Sequence, residues 1–425
     1  MRYPVAGRRG TFAAGALLAA AALLAGCSSG GTGSPGAAGQ PGSGQGGSQG
    51  MPPASGTGSG PTTLAGYYAQ KLHWQPCHRR FQCARLLVPF DYRRPGWRRF
   101  SLPVMRLPAG DPQHRIGSLV VNPGGPGGSG ISYVLQPASV ASAAVRARFD
   151  LVGFDPRGVA GSVPALRCLS DPQLDKYLAI SDNPTSPAQL ATIVSESKLF
   201  AHDCQLRSGP LLRYVGTDNA ARDMDVLRAA LGDRKLTYLG KSYGTYLGAW
   251  YAQLFPHRVR ALVLDGAVDP HEPALTMNKI QAQGFQVALR SFAASCLRMS
   301  GCPLGQGGSV QAAVGRVQAL LNRAQRKPLS SQIRGQPGVS ALLLNGVAAA
   351  LYSKSYWTYL RTGLTAAMHG NGTLLVELGD LLVERSPNGH YTNLTSADTA
   401  VNCVDRPWPR TLGPWKTAAA AAARA

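Results

Sequence analysis

Leu236-Thr-Tyr-Leu-Gly-Lys-Ser-Tyr-Gly-Thr245 is the stretch that decides how this chain folds. Four residues of strand-forming type run into Gly240-Lys-Ser242-Tyr-Gly244, and Tyr243 to Leu254 then reads as a helix. A strand that becomes a helix through Gly-x-Ser-x-Gly must turn sharply, and the two glycines remove side chains that would clash in the turn. The turn lifts the Ser242 hydroxyl above the sheet at a helix N-terminus, where free N–H groups and the helix dipole favour a developing oxyanion. A Gly-rich turn whose serine merely caps the helix is the bland alternative. The strand before and the helix after weigh for a nucleophile.

Outward from this elbow the chain alternates. Val259 to Leu264 reads as the next strand, and Ile116–Val121 and Phe149–Phe154 are earlier short apolar runs that end in turns. Between Thr217 and Leu231, Ala220, Met224, Leu227 and Leu231 form an apolar stripe, with Arg222, Asp223, Asp225 and Arg228 on the other face. That spacing predicts an amphipathic helix, capped by Thr217 or Asp218 and stopped at Gly232. Strand–helix–strand alternation predicts an α/β fold with a mostly parallel sheet. From His271 to Asp405 the pattern changes to Ala-, Leu- and Gln-rich helical stretches, as an inserted helical domain would read.

Asn122-Pro-Gly-Gly-Pro-Gly-Gly-Ser-Gly130 follows the Ile116–Val121 strand and would let backbone N–H groups approach a substrate carbonyl closely. A phosphate-binding loop is the rival. It would need Gly-x-Gly-x-x-Gly opening a helix, which Pro123 and Pro126 oppose, or a Walker pattern, which Lys235 breaks.

The chain has 425 residues, with 43 Lys and Arg against 21 Asp and Glu and a formal charge of +22. Its 44% hydrophobic content excludes a wholly disordered chain. Arg2, Arg8 and Arg9 precede an apolar stretch from Phe12 to Gly26 that is short for a membrane span. It ends in Leu-Ala-Gly-Cys27, which resembles a bacterial lipobox, so residues 1–26 are expected to be a lipoprotein signal peptide and Cys27 the lipidated residue. The Gly/Ser/Pro-rich residues 27–66 read as a flexible tether. An exported chain anchored to the outer face of the cytoplasmic membrane does not meet chromosomal DNA. The positive charge is therefore expected to face anionic envelope polymers or lipid headgroups, or no particular partner, and not nucleic acid.

Export also favours disulfides, and spacing suggests Cys77–Cys83, Cys168–Cys204 and Cys296–Cys302, which leaves Cys403 over. No Cys/His cluster has metal-ligand spacing, and no cofactor is expected.

The stretches Asn122–Gly130, Asp155–Ser162 and Asp218–Pro270 resemble the tripeptidyl aminopeptidase branch of the prolyl-aminopeptidase-type α/β-hydrolases. So does Ala400-Val-Asn-Cys-Val-Asp-Arg-Pro407. The resemblance covers most of the chain after about residue 70. It implies an α/β-hydrolase core (67–270), a helical cap (271–405) and the start of a returning core segment (406–425). It implies that Ser242 is the nucleophile and that the N–H groups of Tyr243 and Gly125 form the oxyanion hole. Asp155 and Arg157 match a family turn near the site, and a structural Asp–Arg pair fixing that turn is at least as good a reading as a catalytic one.

In such a fold the orienting Asp and the base His follow the cap, and neither is found there. The chain is thus expected to be C-terminally truncated, with its last core strands missing, an unpaired sheet edge, and Cys403 without its partner. His257, His271, His369 and His390, with Asp380, Asp398 and Asp405, are poor substitutes by position. Glu272, Glu377 and Glu384 are available to bind a substrate ammonium. The leading expectation is an exported, monomeric serine aminopeptidase that releases short peptides, tripeptides above all, from free N-termini. The rivals are a catalytically inactive peptide-binding lipoprotein, and an esterase or lipase on the same fold.

Overall fold

The structure, a computed structural model, describes residues 60–181 and 183–422. The expected signal peptide, Cys27 and all of the tether up to residue 59 lie outside the described residues.

One seven-stranded sheet carries the fold. Its strands are β1 (Gln75–Cys77), β2 (Phe81–Pro89), β3 (Arg99–Leu107), β4 (Gly117–Asn122), β5 (Phe149–Phe154), β6 (Leu236–Lys241) and β7 (Val259–Asp265). Their order is β1-β2-β3-β5-β4-β6-β7. Strands β4 to β7 pair in parallel, while β1, β2 and β3 add to the β5 side as antiparallel neighbours. Every residue of β4 is buried, as an apolar run with no polar alternation requires of a central strand. Val120 packs into one apolar cluster and its neighbours Leu119 and Val121 into another, so both faces of the sheet are covered.

The helix before the elbow spans Thr217–Ala230, with Gly216 rather than Thr217 or Asp218 at its cap position, and Gly232 ends it at φ 81°. The expected polar face is a correction. Asp223 and Asp225 are fully buried and Arg228 nearly so, because partners from distant segments reach them. Asp225 accepts from Tyr68, Arg228 and Tyr251 and also pairs with Arg258. Periodicity counts charged residues as solvent-facing and cannot see such partners.

The helices beyond β7 (Ala274–Leu297, Val310–Arg326, Ser340–Leu351, Trp357–Met368 and Thr373–Leu382) share an apolar cluster separate from the sheet's. Helix Asp171–Leu178, inserted between β5 and β6, leans on the same region through Asp175–Arg385 (2.9 Å) and Asp171–His390 (3.0 Å). The last helix of the expected cap, Leu394–Asp405, behaves differently. It gives Ala397, Ala400 and Val401 to the core beneath the sheet, and so brings its polar residues to the elbow.

Cys77–Cys83, Cys168–Cys204 and Cys296–Cys302 are bonded. Cys403, expected to stand alone, is not a free thiol, which corrects that expectation. Among the described residues β7 pairs only with β6, and Val263 on it is 57% exposed. No described helix is long and apolar enough to cross a membrane.

Candidate active site

Ser242 sits between the end of β6 and the helix Tyr243–Leu254 at φ 52°, ψ −122°, a region that non-glycine residues rarely occupy. Its N–H donates to the carbonyl of Asp265 on β7 at 2.9 Å, which pins the strained turn to the neighbouring strand. Side chains at the flanking glycines would collide: a Cβ on Gly240 would lie 2.3 Å from the Gly244 carbonyl oxygen, and one on Gly244 2.8 Å from that of Asn122. The Tyr243 N–H, first in its helix, has no acceptor within that helix and is available at the turn.

The Asn122–Gly130 loop lies directly on this elbow. The Gly124 N–H donates to the Asn122 side chain at 2.9 Å, and a Cβ on Gly124 would meet Lys241 O at 2.6 Å and Ser242 Cβ at 3.1 Å. Gly125 follows at φ 110° and borders the same cavity as Ser242 and Tyr243. The N–H groups of Tyr243 and Gly125 therefore come from two segments packed against each other beside one hydroxyl, the layout an oxyanion hole needs.

Asp155 holds that loop. It accepts from Ser129 Oγ at 2.6 Å, from Gly161 N–H at 3.0 Å and from Ile131 N–H at 3.4 Å. Burial raises its carboxyl to about 6, against the pull of these donors. Arg157 does not pair with Asp155. It reaches Asp223 with two donors, at 2.7 and 2.5 Å, and bonds the carbonyls of Pro89, Phe90 and Tyr214. The expectation of a mutual Asp–Arg pair is thus corrected: the two residues leave one turn in different directions, one bracing the loop and the other the core.

A cavity of about 690 Å³ opens over Ser242, of a size that suits a small ligand or short peptide. Its wall combines Gly125, Pro126, Ser242 and Tyr243 with apolar residues such as Met277, Ile280 and Leu344. Helix Leu394–Asp405 adds Asp398, Asn402 and Asp405, at helical spacing on one face. Asp405 accepts from the Thr217 N–H at 2.7 Å and from its hydroxyl, and that hydroxyl also meets the Tyr243 hydroxyl. A polar relay thus ties the cap's last helix to the residue after the nucleophile. Burial raises Asp405 to about 6, and it also raises the Tyr243 phenol. Asp398 accepts from the Asn402 amide at 3.2 Å, and burial raises its carboxyl to about 7.

Of the carboxylates considered from sequence, Glu272, Asp398 and Asp405 line this cavity. The others do not: Asp380 is buried against Arg385, Glu377 is exposed, and Glu384 accepts from Thr392. None of the chain's eight histidines lines it either. His257, His271, His369 and His390 are exposed, His369 on a carbonyl of its own helix and His390 on Asp171. Among the described residues no cluster of three His, Cys, Asp or Glu is placed to hold a metal. Sequence reasoning had Asp398 and Asp405 only as weak substitutes for triad members. Their i, i+4, i+7 spacing with Asn402 was the available signal that they share one face.

A serine on a strained strand-to-helix elbow, beside a Gly-rich loop and under helices, defines a serine hydrolase. The chain belongs to the α/β-hydrolase family: a family model described as alpha/beta hydrolase fold matches residues 117–338. Within that family it is 42% identical over 355 residues to the serine protease Hip1 of Mycobacterium tuberculosis, covering 80% of this chain and 67% of Hip1. It is 39% identical to carboxylesterase B of the same organism, covering 86% of this chain and 73% of that protein. It is 33% identical to the tripeptidyl aminopeptidase of Streptomyces coelicolor, covering 81% and 64%. The chain thus spans less than two thirds of the tripeptidyl aminopeptidase's length.

Proposed function

We propose that this chain is an exported serine peptidase of the aminopeptidase kind, taking short peptides, tripeptides above all, from free N-termini through an acyl-enzyme on Ser242. The observation that carries the proposal is the Ser242 elbow, held at positive φ against the Asn122–Gly130 loop within one cavity. In this reading Ser242 attacks the scissile carbonyl, and the Tyr243 and Gly125 N–H groups take the charge that develops on its oxygen. The peptide amine leaves, and water then releases the acyl group. The described residues of the cavity wall supply the nucleophile and these donors but no imidazole to accept the hydroxyl proton. Anchoring through Cys27 and activity as a monomer belong to the same reading.

Likeness to a protein named carboxylesterase B favours a second reading, an esterase on the same elbow. A fluorophosphonate probe tests what the two share: labelling that is lost in Ser242→Ala supports an activated serine, and a folded protein that takes no label rejects it. Tripeptide anilides set against short acyl esters then separate the readings, since only an exopeptidase demands a free amine.

A further inference from the structure

We propose that the outer face of the cap lies on an anionic lipid surface, which it meets with the helix Ala274–Leu297 and the segment 352–361. The proposal holds for a peptidase and an esterase alike, because it concerns where the cavity mouth is held and not what Ser242 cleaves.

A row of apolar side chains faces water here. Ile280 and Val287 stand seven residues apart on one face of the helix, and Val287 is 65% exposed. The segment 352–361 packs alongside. Tyr352 meets Phe285 edge-on at 5.3 Å, Trp357 meets Phe292 at 5.8 Å, and Arg361 donates to Met299 Sδ at 2.8 Å. These contacts set Tyr352, Tyr356 and Tyr359 beside the helix, and all three rings are exposed, Tyr352 by 64%. Single exposed apolar residues need no explanation, but a strip running about 27 Å along a helix does.

The charge of the same face identifies what covers it. No Asp or Glu occurs between Glu272 and Glu377. Within that stretch Arg290, Arg298 and Lys354 are exposed, and among the described residues none of them pairs with a carboxylate. The Lys354 ammonium stands 5.8 Å from the centroid of the Trp357 ring. Such a face complements a headgroup layer: aliphatic side chains enter the acyl boundary, tyrosine rings sit at headgroup level, and cations on long apolar stems reach lipid phosphates. A second copy of this chain is a poor occupant, since a two-fold contact would set cations against cations with no carboxylate between them. A soluble polyanion would satisfy the cations and leave Ile280 and Val287 in water.

The strip continues into the site. Ile280 and Tyr352 both line the Ser242 cavity. A lipid surface that covers the strip therefore reaches the cavity mouth, and the cavity opens at the headgroup layer.

Hydroxyl-radical footprinting of the full chain, read residue by residue by mass spectrometry, tests this with vesicles of phosphatidylcholine and phosphatidylglycerol. Met299, Tyr352, Tyr356 and Tyr359 are expected to react about threefold more slowly or less when vesicles are present. Trp97 and Leu206, exposed side chains outside the strip, are expected to keep their rates. Vesicles of phosphatidylcholine alone are expected to protect the strip much less. V287E/R298E, changed at exposed positions outside the Ser242 cavity, is expected to melt as its parent does and to lose most of the protection. Attachment through other parts of the chain leaves the rates in the strip unchanged and overturns the proposal. Protection that survives in V287E/R298E, or that soluble polyphosphate gives equally, overturns it too. Protection that grows with protein concentration in the absence of vesicles overturns it in favour of a second copy.

Discussion

Arg157 and Asp223 face each other as a two-point ion pair with both side chains fully buried, Nε to Oδ2 at 2.7 Å and Nη2 to Oδ1 at 2.5 Å. The pair joins the turn after β5 to the helix preceding the elbow, and Tyr92 adds a hydroxyl to the same carboxylate at 2.8 Å. Two charges in a dry interior repay their desolvation only while every partner stays in place.

Removing one partner should therefore cost far more than removing both. Arg157→Met is expected to lower unfolding free energy by ~3–5 kcal/mol in urea titration, because Asp223 is left buried without its cation. The double variant R157M/D223L should recover a large part of that loss. A double variant as unstable as the single one would show that shape at this site, not charge pairing, sets the stability.

Gly124 is the point at which the loop touches the nucleophile. Alanine there would have to hold φ 102° and place its Cβ 2.6 Å from the Lys241 carbonyl oxygen, so loop and elbow must part. Fluorophosphonate labelling of G124A is expected to slow by about tenfold or more, which corresponds to ~1.4 kcal/mol or more of lost transition-state stabilisation. Equal labelling rates for G124A and its parent would separate the loop from the chemistry.

Thr217 carries the contact between Asp405 and Tyr243. Thr217→Val keeps the shape and removes the bridging hydroxyl, while the Thr217 N–H still serves Asp405 at 2.7 Å. The cost to stability is expected to be ~1–3 kcal/mol, that of a buried polar group losing its partner. Labelling should slow as well, because the Tyr243 ring loses its fixed point beside the oxyanion N–H. Thermal melting and labelling rate are to be read together: a lower melting temperature with an unchanged rate would make the relay a packing device alone.

What the sequence disclosed follows from how local each feature is. The elbow, β4 to β7 and the helix Thr217–Ala230 were legible because short apolar runs and glycine positions act within a few residues. Strands β1 to β3 were not read. Arg85, Arg99 and Arg106 interrupt their apolar pattern, and Pro103 lies inside β3. The burial of Asp223 and Asp225 was hidden for a different reason: Arg157 is 66 residues from Asp223 in sequence, and Arg258 is 33 from Asp225. The site divides in the same way. Ser242 announces itself through its neighbours, whereas Asp398 joins the cavity wall only when the helix bearing it folds back onto the Gly-rich loop.

Asp398 also makes a prediction about pH. Its ordinary value is 3.8 and burial lifts it to about 7 in the folded chain, so between those values the folded state holds a proton that the unfolded state has released. Stability rises with pH only where the unfolded state binds more protons. Here it binds fewer, so the Asp398 contribution declines as pH rises from about 4 to about 7 and stays lost above. Asp155 and Asp405, each raised to about 6 by burial, act in the same direction over a narrower window. D398N lacks the proton and its linkage. Its melting temperature is expected to match wild type near pH 4, pull ahead progressively towards pH 7, and hold a constant lead at higher pH. Differential scanning fluorimetry across that range checks the expectation. Melting curves that run parallel from pH 4 to 8 would place the Asp398 carboxyl in contact with water or a cation.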